Sequence, residues 1–145
     1  MSESGFDLGL DDCSRAGVYF ATSEDLHTIG MAARDAGLVA RSIDLRGCKT
    51  KATLLLRLSS ALDSPAGSGR NWDALSDHLR DLAWLPAPHG YALLFDDASD
   101  LRDADETSFD TLLEILQEAA IIWAQRDVPF WAFLALADDE LEQSN

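Results

Sequence analysis

The sequence predicts a single layered α/β domain with a small, mainly parallel sheet of three or four strands packed by helices. Two observations carry that prediction. Nearly uninterrupted apolar runs, Tyr91-Ala92-Leu93-Leu94-Phe95 and residues 128 to 136, have the character of strands covered on both faces. Segments with helical recurrence separate them, and strand–helix alternation argues for parallel pairing. A chain of 145 residues with 47% hydrophobic content suits one core and is too apolar for an acidic disordered protein.

Along the chain, residues 1 to 16 form an acidic N-terminal segment, and residues 17 to 38 form an additional strand–helix segment. Gly17-Val18-Tyr19-Phe20 reads as the strand. Thr22 or Ser23 caps a helix whose apolar face is Leu26, Ile29, Met31, Ala32, Ala33 and Ala36, stopped by Gly37. Val39 to Leu45 is a second strand, and residues 49 to 62 a helix with Ala52, Leu55, Leu56, Leu58 and Leu62 inward. Pro65, Gly67 and Gly69 mark a loop. The next helix opens at Asn71, and Trp72, Leu75, Leu79 and Leu82 fall within about 80° of arc at the helical turn angle, making Trp72 a core residue.

Asp73, Asp77, Arg80 and Asp81 lie on its other side, with Asp73 and Asp77 one turn apart. Residues 96 to 106 form an acidic loop with room for one helical turn. Thr107 with Asp110 fits a capping box for the long helix over residues 109 to 125, and an acidic tail occupies residues 138 to 145.

Charge narrows the function. Against 26 Asp and Glu stand 11 Lys and Arg, a net charge of -15. That field repels phosphate backbones and anionic lipids and steers basic partners in, so nucleic-acid and membrane binding are not expected. The same charge favours a soluble monomer when unbound. Met1-Ser2-Glu3-Ser4-Gly5 opens no basic-then-apolar leader, and Cys13 and Cys48 make no disulfide framework, which together lead us to expect a cytoplasmic protein with reduced thiols.

Enzyme signatures are weak. His27, His78 and His89 are dispersed, and no HExxH or GxSxG occurs. Ser76-Asp77-His78 holds the residue types of a hydrolase triad, but adjacent helical side chains point in different directions and make no relay. Asp96, Asp97, Asp100, Asp103 and Asp105 lack the spacing of a calcium loop and read as a solvated loop. We expect no catalytic residues, no metal and no cofactor.

The segment Ile43-Asp44-Leu45-Arg46-Gly47-Cys48-Lys49-Thr50-Lys51, the Leu-rich helix after it, and Gly69-Arg70-Asn71-Trp72-Asp73-Ala74-Leu75-Ser76-Asp77 resemble the barstar family of intracellular ribonuclease inhibitors. The resemblance covers roughly residues 39 to 137, taken as a barstar-like domain, and implies a barstar-like fold. It also implies binding to a basic, extracellular-type ribonuclease. By position, Asp77 resembles the principal inhibitory aspartate, placed where a substrate phosphate would sit, and Asp73 its acidic neighbour. Gly69 resembles the glycine that approaches the enzyme, Arg80 and Ser76 occupy contact positions, and Glu118 resembles a peripheral acidic contact.

The physics agrees with the inhibitory role, because a phosphate-binding site carries a fixed positive field that a carboxylate completes. From spacing alone Asp73 and Asp77 are an ordinary solvated helix face, Gly69 serves the bend into the helix, and Glu118 shares its face with Thr111, Glu114 and Gln125. Departures from the family pattern are visible. Ala66-Gly67-Ser68-Gly69 has no aromatic where the family usually has one, Ser76 replaces another, and His78 stands where a cysteine occurs in a best-known member. They keep open a differently targeted interaction module, such as an immunity protein for another basic toxin.

Overall fold

The computed structural model describes residues 9–10, 12–63, 71–82, 85–87 and 89–137. Four strands alternate with five helices in these residues: β1 (Val18–Ala21), α1 (Ser23–Asp35), β2 (Val39–Asp44), α2 (Lys51–Ala61), α3 (Trp72–Asp81), β3 (Tyr91–Asp96), α4 (Ser99–Ala104), α5 (Glu106–Gln125) and β4 (Phe130–Ala135). All strand pairs are parallel, in the order β1-β4-β3-β2. The segment before the barstar-like region therefore supplies an edge strand, with Val18 opposite Ala132 and Ala21 opposite Ala135.

Side-chain alternation divides the core into two layers. Tyr91, Leu93 and Phe95 of β3 point to one face, where they meet Leu54, Leu58, Leu75, Leu79, Leu101, Leu112, Leu116 and Trp123 from α2 to α5. Ala92 and Leu94 point to the other, with Trp131 and Phe133 of β4, under Leu26, Ile29 and Ala33 of α1. The central strands are buried on both faces, as their unbroken apolar runs require.

Several elements differ from the sequence expectation, each for a local reason. Helix α5 begins at Glu106, because Asp105, not Thr107, is its cap: the Asp105 carboxylate accepts the Ser108 amide at 3.2 Å and the Ser108 hydroxyl at 2.7 Å. Thr107 lies inside the first turn. Helix α2 starts two residues late, since the Thr50 hydroxyl accepts the Thr53 amide as its cap. Its inward stripe is Leu54, Leu55 and Leu58, leaving Leu56 59% exposed and Ala52 exposed on the opposite side. In α1, Met31 faces solvent, and Gly30 takes the close approach to Leu94.

Strand β4 is shorter than residues 128 to 136 because the Val128 amide bonds back to Trp123 at the end of α5. Pro129 has no amide, and its carbonyl serves Tyr91 instead. The Pro65 to Gly69 loop, the acidic opening up to residue 8 and the tail from residue 138 lie outside the described residues.

The α5 cap gives a pH prediction. The hydrogen bond from the Ser108 hydroxyl, then that from its amide, holds the Asp105 carboxyl below its ordinary 3.8. A depressed carboxylate stabilises the folded state above pH 3.8 and loses that contribution as pH falls through its lowered value. Asp105→Asn retains an acceptor for the Ser108 amide but has no carboxyl to titrate. Urea unfolding between pH 6 and pH 2 is expected to show a shallower acid decline for the variant than for the wild type.

Candidate protein-binding face on α3

Helix α3 is built to present one acidic edge from a fixed backbone. The Asn71 side chain caps its start, accepting the Ala74 amide at 2.8 Å. Asp73 follows in the first turn, where a negative charge is favoured by the unpaired amides of the helix N-terminus. Leu75 and Leu79 face the core. Trp72 is only half-buried: it packs against the core edge, and the Lys51 ammonium lies 5.5 Å from its ring centre. It is a boundary residue, part of its ring packed on the core and part left accessible beside Lys51. Asn71→Ala leaves the Ala74 amide without this acceptor and is expected to cost about 1 kcal/mol in chemical denaturation.

The far end of α3 is held by α5. Leu82 ends the helix in the left-handed region at φ 48°, and its amide bonds to the His78 carbonyl. The next two carbonyls are satisfied from across the interface: the Trp123 indole donates to Leu79 O at 2.7 Å and Arg126 Nη1 to Arg80 O at 2.6 Å. The Arg126 guanidinium lies 4.7 Å over the Trp123 ring, which also meets Tyr91 at 5.1 Å. Burial pushes the Tyr91 hydroxyl up, with the negative charge of Asp81 adding to it, and that hydroxyl donates to Leu85 O at 2.8 Å.

On the outward edge the structure brings together Asp73, Ser76, Asp77 and Arg80. Asp73 and Asp77 are exposed, and Ser76 and Arg80 are half-buried. Arg80 Nη2 contacts Asp77 Oδ1 at 2.6 Å, with the two side chains 42% and 72% exposed. Its Nε donates to Ser76 O at 3.2 Å. Glu118 is exposed on α5, a separate element from this cluster. Gly69 falls outside the described residues.

Sequence reasoning did not identify Trp123 and Arg126 as supports of the helix, since a buried indole and a C-terminal arginine look like core and capping residues. It also passed over the Asp77–Arg80 pair, although opposite charges at i and i+3 were a readable signal.

The Asp-rich stretch after β3 is occupied structurally. Asp97 pairs with Arg46 at 3.1 Å, and Asp100 accepts the Gly47 amide at 2.7 Å. Among the described residues no group of three or more His, Cys, Asp or Glu is placed to hold a metal ion, and no helix is long and apolar enough to cross a membrane.

Among solved structures, one of the Aeropyrum pernix ORC2 protein in ADPNP–ADP complexes superposes with a TM-score of 0.56 at 17% identity. The match covers 90% of this chain and 38% of that one, a likeness of fold alone. No curated protein matches by sequence. The family model described as Barstar (barnase inhibitor) matches residues 38–135, which contain β2 to β4 and all of α2 to α5. The chain belongs to the barstar family.

Proposed function

We propose that this protein binds a basic, extracellular-type ribonuclease in the cytoplasm and inhibits it by placing Asp77 in the phosphate-binding active site. One observation carries the reading: Asp77 is 72% exposed on a helix whose far-end carbonyls are tied to α5, so its carboxylate is both accessible and positioned. Inhibitors of this family are binding proteins rather than enzymes, so the face needs geometry and charge, not a reactive group.

A ribonuclease active site stabilises a phosphorane-like transition state with cations, and a carboxylate held against them occupies the site without offering a bond to cleave. Arginine in the partner suits this contact, because its planar fork pairs with both carboxylate oxygens. Asp73, one turn earlier, adds to the same field, and the net charge of -15 speeds encounter with a basic surface.

Ser76 favours a second target class. A half-buried serine stands between the two aspartates where an aromatic residue would fill a pocket, so the face is flatter than an aromatic-anchored one. A different basic toxin with a shallow cationic site fits such a surface.

The test is a panel of purified basic ribonucleases and non-nuclease basic toxins, titrated with the wild-type protein and with Asp77→Ala. Inhibition of a ribonuclease that persists at physiological salt and collapses on truncation supports the first reading. Capture of a toxin with no ribonuclease inhibited replaces it with the second.

A further inference from the structure

We propose that Arg80 sets which basic site this face accepts, selecting one whose cations are bordered by a carboxylate. The inference rests on the reading of Asp77 given above and assigns the role of its neighbour.

Arg80 is a half-buried positive charge at the C-terminal end of an acidic edge, beside Asp77. Its guanidinium is held at two points, by the Asp77 carboxylate at 2.6 Å and by the Ser76 carbonyl at 3.2 Å. Its own backbone carbonyl is pinned by Arg126 at 2.6 Å. The face therefore presents a short dipole, with a carboxylate edge beside a guanidinium edge, rather than a lone negative charge.

A partner cation that reaches Asp77 comes close to Arg80. Like charges repel there, and the repulsion grows as the contact sheds water. Two outcomes relieve it: Arg80 swings into solvent, or the partner supplies an acceptor opposite it. The two surface contacts that hold Arg80 resist the first only weakly, so the acceptor that a partner supplies decides between sites. For the second, a guanidinium has five N–H donors, and the hydrogen bonds above use two of those on Arg80. With its side chain 42% exposed, donors remain for an incoming carboxylate without giving up Asp77.

Phosphodiester-cleaving sites offer the matching arrangement. They need cations for the phosphate and a general base for the attacking hydroxyl, and that base is either a carboxylate or an imidazole. A carboxylate base beside the phosphate-binding cations is complementary to the Asp77–Arg80 dipole. An imidazole, cationic when protonated, is not. Net charge alone does not distinguish a basic enzyme of one class from a basic enzyme of the other.

The experiment compares inhibition of two basic ribonucleases, one with a carboxylate general base and one with a histidine pair. The proteins tested are the wild type, Arg80→Gln, Arg80→Glu and Asp77→Ala, each checked for folding by circular dichroism. Wild type is expected to inhibit the carboxylate-base enzyme at least ~10-fold more tightly. Arg80→Gln reduces that preference by weakening the first complex and relieving the repulsion in the second, and Arg80→Glu weakens the first by about 100-fold.

If Arg80→Gln inhibits the carboxylate-base enzyme as well as or better than wild type while Asp77→Ala loses inhibition, Arg80 is only a competitor for Asp77. The present inference is then wrong, and the reading of Asp77 stands. If wild type inhibits neither enzyme, or if Asp77→Ala inhibits as well as wild type, the reading of Asp77 fails and this inference falls with it.

Discussion

Asp77→Ala is expected to weaken ribonuclease inhibition by about 30-fold to several thousand-fold, equivalent to ~2–5 kcal/mol, while leaving the fold intact. The two halves of that expectation have separate causes. In the free protein Asp77 is 72% exposed, and its ion pair with Arg80 is a solvated i, i+3 contact worth only ~0.2–0.5 kcal/mol. Removing the carboxylate therefore barely moves the unfolding midpoint. In the complex the same carboxylate faces a site built to hold phosphate, and its loss strands the partner's cations in a desolvated contact.

Most of the change should appear in dissociation, since a central charge contact acts on the bound state. Asp73→Ala makes the informative contrast. Asp73 lies at the helix start, and its removal is expected to slow association mainly at low salt, by less than ~10-fold. Stopped-flow association and competition dissociation at two ionic strengths separate the two. Equal losses for Asp73→Ala and Asp77→Ala would show that the face works by net field alone, with no leading residue.

The fold was legible where one physical demand dominated. Strand β3 must be apolar on both sides because helices cover both faces, and its unbroken run Tyr91 to Phe95 said so directly. Gly37 was readable as a stop because the chain takes φ 85° there, where a side chain is strained. Legibility failed where two demands competed. Thr107 and Asp105 both have capping chemistry, and the choice went to the residue whose carboxylate reaches two groups of Ser108. In α2, five leucine and alanine positions supported more than one inward stripe, and contact with the sheet chose Leu54 over Leu56.

The same division runs through the candidate site. Amphipathic spacing alone places Asp73 and Asp77 opposite Leu75 and Leu79, since turn angle decides which residues share a face. What fixes that face in space comes from 40 and more positions away, the Trp123 and Arg126 bonds to Leu79 and Arg80, and no local pattern encodes a contact of that range. The edge strand β1 was readable as a strand from Val18 to Phe20. Its partner was not, because parallel pairing across the long separation to β4 leaves no mark in either segment.

Those long-range bonds set the largest stability effect we expect. Trp123 is 9% exposed, stacks at a tilt on Tyr91 and under Arg126, and donates its indole hydrogen to Leu79 O at 2.7 Å. Trp123→Ala removes the packed ring and leaves a cavity, at about 3–5 kcal/mol. Against a typical total of ~5–15 kcal/mol, that loss takes a domain to the margin of folding.

Trp123→Phe is the more discriminating variant, because it keeps an aromatic ring beside Tyr91 and deletes the donor. The Leu79 carbonyl then loses its cross-helix partner, and the cost is expected at ~1–3 kcal/mol in urea unfolding. Binding should respond as well. With this tie to α5 cut, the end of α3 that carries Arg80 keeps the Arg126 bond and its core packing but loses one anchor, so the dipole of Asp77 and Arg80 is less well positioned. An increase in dissociation rate with little change in association is the expected signature, since association depends on charge and charge is untouched. A stability change within ~0.5 kcal/mol of wild type would mean that water replaces the indole donor at no cost. The rigidity of α3 would then have to come from the Arg126 bond to Arg80 and the Leu75 and Leu79 packing.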